Sequence, residues 1–365
     1  MSNPRTARAS LKFNGKTVDT SLKDYLQSVE YTDIADGSSD EISIEVQDMD
    51  LRWMKGWAPK KGDRITGEFT YENWNKDGDK FSLKCGDFTL DEIKFSGGPR
   101  MLKMSAVAVP ASESFKTRDR TKTWKAITVR NILKQIATRY KLKYRYDAGV
   151  IKVSKLEQSD KTDCAFLAEL CKRYGLGLKI FRNRLIVYDK GKYEKRKSVA
   201  TLGPKDFVDD DWEYDSDIHG TYTGCKISYK TPKKKKKGEK KPKPLTAYVG
   251  TKGENAKGAR TKKLNQQCNS AKEAKQVAAA EVNRSNEKAD VISGQIMANS
   301  KICAACCITL KGFGKFDGKY FVDKSTTSID NGGAKQEIEM HKVQRRVTAN
   351  KKKAAKKKKT TTKKK

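Results

Sequence analysis

No stretch of this sequence is apolar for long enough to cross a bilayer. The start, MSNPRTARAS, lacks the apolar core of a secretion signal. Histidine is scarce: His219 and His341 lie far apart, and no serine or cysteine nucleophile motif accompanies either. Hydrophobic residues are few at 36%, against 34% charged. The 365 residues are still enough for two or three domains with real cores. Acid is in deficit, giving a net charge of +34, but the surplus is uneven. Residues 351–365 hold ten lysines and no acid, and residues 233–243 hold eight lysines against Glu239, which leaves +17 for the remainder. Half the excess therefore sits in two low-complexity segments that cannot fold alone. Eight cysteines without a secretion signal read as reduced thiols in a cytoplasmic product.

Several chemistries fail on spacing. A zinc site needs a second pair to complement Cys303 and Cys306, and the other cysteines are scattered. In a strand, Cys303 and Cys307 share a face and Cys306 points the other way, so buried thiols in a β core are expected and no metal. A calcium loop starting at Asp211 would put Ser216 where glycine is needed and Tyr222 where the bidentate acid belongs. The acidic run Asp209–Asp215 is expected instead as an exposed strand edge or inter-subunit contact. Gly253–Gly258 has phosphate-loop spacing, but Ala259-Arg260 replaces the required Lys-Ser/Thr. Neither a catalytic residue nor a cofactor site is expected. Trp53 and Trp57 are candidates for a subunit interface, where tryptophan is enriched, and Trp212 in the acidic run is a third.

What is present is strand patterning around a short helical insert. "EISIEVQDMD", "DRITGEFTYENW" and "FSLKCGDFTLDEIKF" alternate with period two, separated by turn signals such as Asp77-Gly78-Asp79. Thr128 is placed to cap one helix, with Val129, Ile132, Leu133, Ile136, Ala137 and Tyr140 as its stripe. Thr162 and Asp163 open a second helix, and Gly175 sits where a left-handed residue would end it. Arg182-Asn183-Arg184 then reads as a hairpin turn. Ser270 and Glu273 form a capping box for a later helix. The two β regions echo one another: Gly86, Phe88, Leu90 and Asp91 correspond to Gly318, Tyr320, Val322 and Asp323, and each run then reaches a Gly-Gly turn.

The expected architecture is mixed β with an α/β insert. Two related β-barrel domains, residues 1–110 and 198–348, are interrupted by a connector at 111–123 and a small α/β domain at 124–197. The second barrel carries a Lys-rich loop (230–244) and one helix (270–288), and a disordered Lys-rich tail (349–365) ends the chain.

The segment "SLKDYLQSVEYTDIADGSSDEISIEVQDMDLRWMKGWAPKKGDRI" resembles the first domain of the phage late control protein D family. "TWKAITVRNILKQIATRYKLKYRY", "SDKTDCAFLAELCKRYGLGLKIFRNRLIVYD" and "LKGFGKFDGKYFVDKSTTSI" match its later segments in order, so the resemblance covers roughly residues 10–347. These are baseplate hubs of contractile phage tails and tailocins, similar to the hub part of type VI secretion spike proteins. The resemblance implies a non-enzymatic homotrimer whose two barrels per subunit make a pseudo-six-fold ring, joining the hexameric tail tube to the trimeric spike. Implied partners are the spike, tube or tube-initiator proteins, other baseplate proteins and the tape measure protein. The implied location is the tail of a virion or tailocin particle assembled in the host cytoplasm. The alternative is a basic nucleic-acid-binding protein acting through its lysines. Its runs carry no interleaved aromatics for base stacking, so nucleic acid is expected only as a non-specific contact. No membrane anchor is expected.

Overall fold

The computed structural model describes residues 3–17, 25–108, 114–229, 245–250 and 260–349. The lysine loop expected at 230–244 lies outside the described residues, as does the tail expected at 349–365 apart from Ala349. The chain divides into two compact units, one built from Met1–Thr221 and Arg284–Arg345, the other from Tyr222–Asn283 and Arg346–Lys365.

The first unit opens with seven strands: β1 (Thr6–Phe13), β2 (Lys16–Thr17), β3 (Leu26–Ile34), β4 (Glu41–Gln47), β5 (Arg64–Glu72), β6 (Lys80–Ser96) and β7 (Met101–Val107). Alternation sends Ile42, Ile44 and Val46 inward with Phe69, Phe88, Leu90 and Met104, forming one apolar core.

The insert follows: α1 (Ser114–Thr117), β8 (Asp119–Thr128), α2 (Val129–Arg139), β9 (Lys143–Asp147), β10 (Lys152–Thr162), α3 (Asp163–Tyr174), β11 (Leu176–Phe181), β12 (Arg184–Asp189) and α4 (Lys190–Glu194). The expected caps are in place. Thr128 Oγ1 accepts from the Asn131 amide at 3.2 Å, and Thr162 Oγ1 accepts from Ala165 at 3.2 Å. Gly175 takes φ +70° and closes α3. The β11–β12 hairpin turns on Arg182 and Asn183, both at positive φ, as a two-residue turn requires.

Two further strands, β13 (Ala200–Leu202) and β14 (Phe207–Ser216), precede the second unit. The second unit holds β15 (Gly224–Tyr229), β16 (Leu245–Gly250) and β17 (Thr261–Asn265) as a small sheet, followed by α5 (Ala271–Asn286). Ser270 Oγ accepts from the Glu273 amide at 3.2 Å, while the Glu273 carboxylate reaches the Asn269 amide at 2.7 Å, one residue before the position a simple box would use. The first unit resumes with β18 (Asp290–Met297), β19 (Cys307–Leu310), β20 (Gly318–Asp330) and β21 (Gly333–Lys342).

The two β regions of the first unit are hydrogen-bonded edge to edge in one thirteen-stranded sheet, ordered β14-β18-β21-β20-β3-β4-β7-β6-β5-β1-β2. β19 pairs with β20, and β13 with β19. Antiparallel pairing of β20 with β3, from Lys324 opposite Ile34 to Asp330 opposite Ser28, is the seam between the regions.

One sequence expectation is corrected. Cys303 and Cys306 do not lie in a core strand: β19 starts only at Cys307, and the chain before it turns at Ala305, whose φ is +66°. Cys303 is exposed and Cys306 half-buried, leaving Cys307 alone of the three in the core.

Candidate assembly edges

Following the registers outward from the two Gly-Gly hairpins superimposes one β region on the other. Leu90 faces Ala106 and Val322 faces Met340; Ala106 faces Ile42 and Met340 faces Ile292. Ile42 in turn faces Tyr31, and Ile292 faces Tyr214. The strand series β3-β4-β7-β6 is thus the counterpart of β14-β18-β21-β20, running in the same order.

Local geometry repeats with it. Gly86 and Gly318 both take positive φ, +124° and +146°. The register slips between Leu90 and Glu92 in one hairpin and between Val322 and Lys324 in the other, so Asp91 and Asp323 are both bulge residues. Tyr31 Oη donates to Asp40 at 3.4 Å, and Tyr214 Oη donates to Asp290 at 2.9 Å, the same tyrosine–aspartate bond in each repeat.

The seam uses one edge of each repeat, β3 of the first and β20 of the second. Among the described residues, the other two edges have no strand partner: the outer side of β14, and the outer side of β6 beyond Thr89, where β5 ends. Both are solvent-facing. Asp209 to Asp211, Glu213 and Asp215 are exposed on β14, as are Glu92, Lys94, Phe95 and Ser96 on β6. The acidic run is therefore a strand edge; Asp209 and Asp210 take φ near +55° where the strand bulges between Phe207 and Trp212.

The three tryptophans separate. Trp53 is buried at 4% exposure in the first core, and Trp57 remains 37% exposed. Their rings meet edge-on at 5.7 Å, with Tyr25 and the Arg52 guanidinium also against Trp57. Trp212 lies on the open β14 edge, half-buried; its Nε1 donates to Asp210 at 2.8 Å, and its ring stands against Phe313.

Charged networks fasten the insert to the sheet. Lys179 on β11 reaches Asp33, Asp40 at 2.8 Å and the Ile34 carbonyl at 2.9 Å. Lys190 bridges Asp36 at 2.9 Å and Glu287 at 3.0 Å. Glu194, Glu287 and His341 place ligand-type atoms within 4.8 Å of one another. These side chains form an ion network in which both imidazole nitrogens face carboxylates: Nδ1 meets Asp323 at 2.7 Å and Nε2 meets Glu194 at 3.3 Å. Burial opposes the charged imidazole, but the two carboxylates outweigh it and push His341 up to about 9.

The model of the phage tail baseplate hub (GPD) family matches residues 94–333. The chain belongs to that family. It is 28% identical over 184 residues to a probable baseplate hub protein of Escherichia phage P2, a match covering 50% of this chain and 45% of the relative. A second probable hub, from Escherichia phage 186, is 27% identical over 183 residues, covering 50% and 44%. The chain thus spans less than half the length of these curated relatives. In fold it is similar to the 43 kDa tail protein of prophage MuSo2 from Shewanella oneidensis, with TM-score 0.68 at 14% identity over 92% of this chain and 98% of that one. An E. coli protein described as a component of the type VI secretion system, with structural similarity to T4 tail proteins, gives TM-score 0.52 at 12% identity over 92% and 77%.

The repeated Tyr–Asp bond has a sequence trace, Val29-Glu30-Tyr31 against Trp212-Glu213-Tyr214 and Asp40-x-Ile42-Ser43 against Asp290-x-Ile292-Ser293. Reading the sequence with only the Gly86/Gly318 echo in view misses it.

Proposed function

We propose that this protein is a non-enzymatic baseplate hub that assembles as a ring of three chains, located in a phage or tailocin tail. The observation that carries the reading is the β3–β20 seam: one repeat already pairs with the next inside the chain, and the unpaired edges are the equivalents of that pair. Head-to-tail contacts of this kind form a closed ring when the rotation per step divides a full turn. Six repeats from three chains would present six-fold spacing to a tail tube and three-fold spacing to a spike. Other baseplate proteins and the tape measure protein are further partners on this reading. Trp57 and Trp212 are the exposed and edge-placed aromatics available to such contacts.

Transferring the seam register gives the inter-chain pairs. Thr326 opposite Thr32 becomes Lys94 opposite Asp215, and Thr327 opposite Tyr31 becomes Phe95 opposite Tyr214. The first is an opposite-charge pair and the second an aromatic pair, each favourable across strands by roughly 0.2–1 kcal/mol. The polar face of the sheet, with Gln295, Glu337, Thr326, Thr32 and Glu41 in one cross-strand row, would line the channel.

Light scattering tests the ring. A mass of three 41.1 kDa chains that persists between about 0.15 and 0.5 M salt is expected. Asp215→Lys and Lys94→Glu should each weaken association several-fold per interface, and the double variant should restore it. A monomer under both conditions, or a double variant no better than the singles, overturns the edge-to-edge ring.

A further inference from the structure

One chemically distinctive feature lies apart from the open strand edges. Of the eight cysteines, Cys303 is the exposed one, Cys306 and Cys164 are half-buried, and the rest are buried. Cys303 and Cys306 occupy the first and fourth positions of a turn closed by the Cys306 amide donating to the Cys303 carbonyl at 3.3 Å. The positive φ of Ala305 at the third position is the signature of a type II turn. The ends of a β-turn lie within 7 Å at Cα, inside the span a disulfide bridges without backbone movement.

The turn is held rigidly. Ala304 N donates to Asp33 Oδ2 at 2.9 Å and Ala305 N to the Val322 carbonyl at 2.9 Å. Val322 N donates to the Cys306 carbonyl at 3.0 Å, and Gln336 Nε2 to the Ile302 carbonyl at 2.9 Å. Interaction with the Cys306 thiol lowers the Cys303 thiol, and the same interaction together with burial raises Cys306. Asp33, Lys179 and Asp40 are the charged groups nearby; Lys179 favours the Cys303 thiolate and the two aspartates oppose it. Cys307, one residue on, is differently placed: its Sγ points into the core at the Tyr193 and Glu194 carbonyls, at 3.4 and 3.5 Å.

We propose that Cys303 and Cys306 form a reversible dithiol–disulfide site that reacts with small-molecule disulfides. The Cys303 thiolate attacks one sulfur of the disulfide, forming a mixed disulfide and expelling one thiolate. Cys306 then loses its proton to solvent and attacks the Cys303 sulfur, forming the Cys303–Cys306 bond and expelling the second thiolate. Two protein thiols are oxidised by two electrons, and the small disulfide is reduced to two thiols, which take up the two protons. The division of labour follows from placement: Cys303 is accessible and the better thiolate, and Cys306 is fixed beside it to resolve the adduct.

The full chain is incubated with glutathione disulfide, quenched by alkylation and digested for mass spectrometry. Loss of two of the eight thiols is expected, with two hydrogens missing from the peptide holding Cys303 and Cys306. Cys306→Ser should stop at one glutathione adduct on Cys303, formed at least about tenfold faster than any adduct on Cys164. Cys303→Ser should give no comparable adduct. A lasting glutathione adduct on Cys303 in the unaltered protein overturns the proposal, as does earlier reaction at Cys164 or disulfide-linked dimers on a non-reducing gel. The measurement on the unaltered chain stands even where a serine variant misfolds, and it does not depend on ring assembly.

Discussion

The two β repeats of the first unit have the same strand order, bulge and tyrosine–aspartate bond, yet what surrounds these features differs. In the first repeat Asp40 is fully buried and is held by Lys179 from the α/β insert as well as by Tyr31. Burial pushes it up to about 7 against the pull of that ammonium. In the second repeat Asp290 is left half-exposed, bonded to Tyr214, Ser216 and Gln344. The bulge residues diverge in the opposite sense. Asp91 is exposed, whereas Asp323 is bonded to the buried His341, whose counterpart in the first repeat is Val107. Backbone geometry follows the local motif in both halves. Ion networks appear where another part of the chain covers the motif, because only there must charge be paired.

Removing the cover's charge should have the largest effect. Lys179→Met leaves Asp33 and Asp40 buried without their cation, and a loss of about 3–5 kcal/mol in urea unfolding is expected. A loss below about 1 kcal/mol would mean that apolar packing, and not the ion network, makes the first repeat different. The His341 network gives the next largest effect. Its pKa, raised from 6.5 to about 9, corresponds to about 3 kcal/mol of stability. That contribution is fully present below pH 6.5 and is lost as pH rises through 9. Unfolding measured across this window should show the decline, and His341→Gln should flatten it; an unchanged slope would remove His341 from the account. The smallest effect sharpens the equivalence itself. Gly86→Ala and Gly318→Ala should each cost about 1–2 kcal/mol, since each forces a Cβ onto a positive-φ backbone. Both new atoms meet a flexible neighbour at 3.3 Å, Arg182 or Lys342, so φ dominates. Unequal losses would show that the two bulged hairpins are not energetically alike.

Much of this was legible in sequence. Thr128, Thr162, Gly175 and Arg182-Asn183 announce the insert's caps and turn, and the Gly86/Gly318 echo marks the two bulged hairpins. The acidic strand edge was also legible from its composition. The rest of the repeat was not, because β14 and β18 are separated by a second compact unit and Asp209–Asp211 mask the Glu213-Tyr214 pair. The cysteine turn was hidden for a different reason: an alanine gives no sign of left-handed backbone, so a period-two reading carried Cys303 into a strand.

Sequence alone determined the elements whose causes lie within a few residues: alternation, helix caps, hairpin turns and the two lysine-rich segments. Tertiary structure decided which strand edges found partners inside the chain and which were left open. Edge pairing joins backbone amides and carbonyls, which every non-proline residue carries, so no residue type labels a partner. β3 and β20 meet across nearly the whole length of the chain, and only the folded sheet shows that β14 and the part of β6 beyond Thr89 are the same two edges without a strand partner among the described residues.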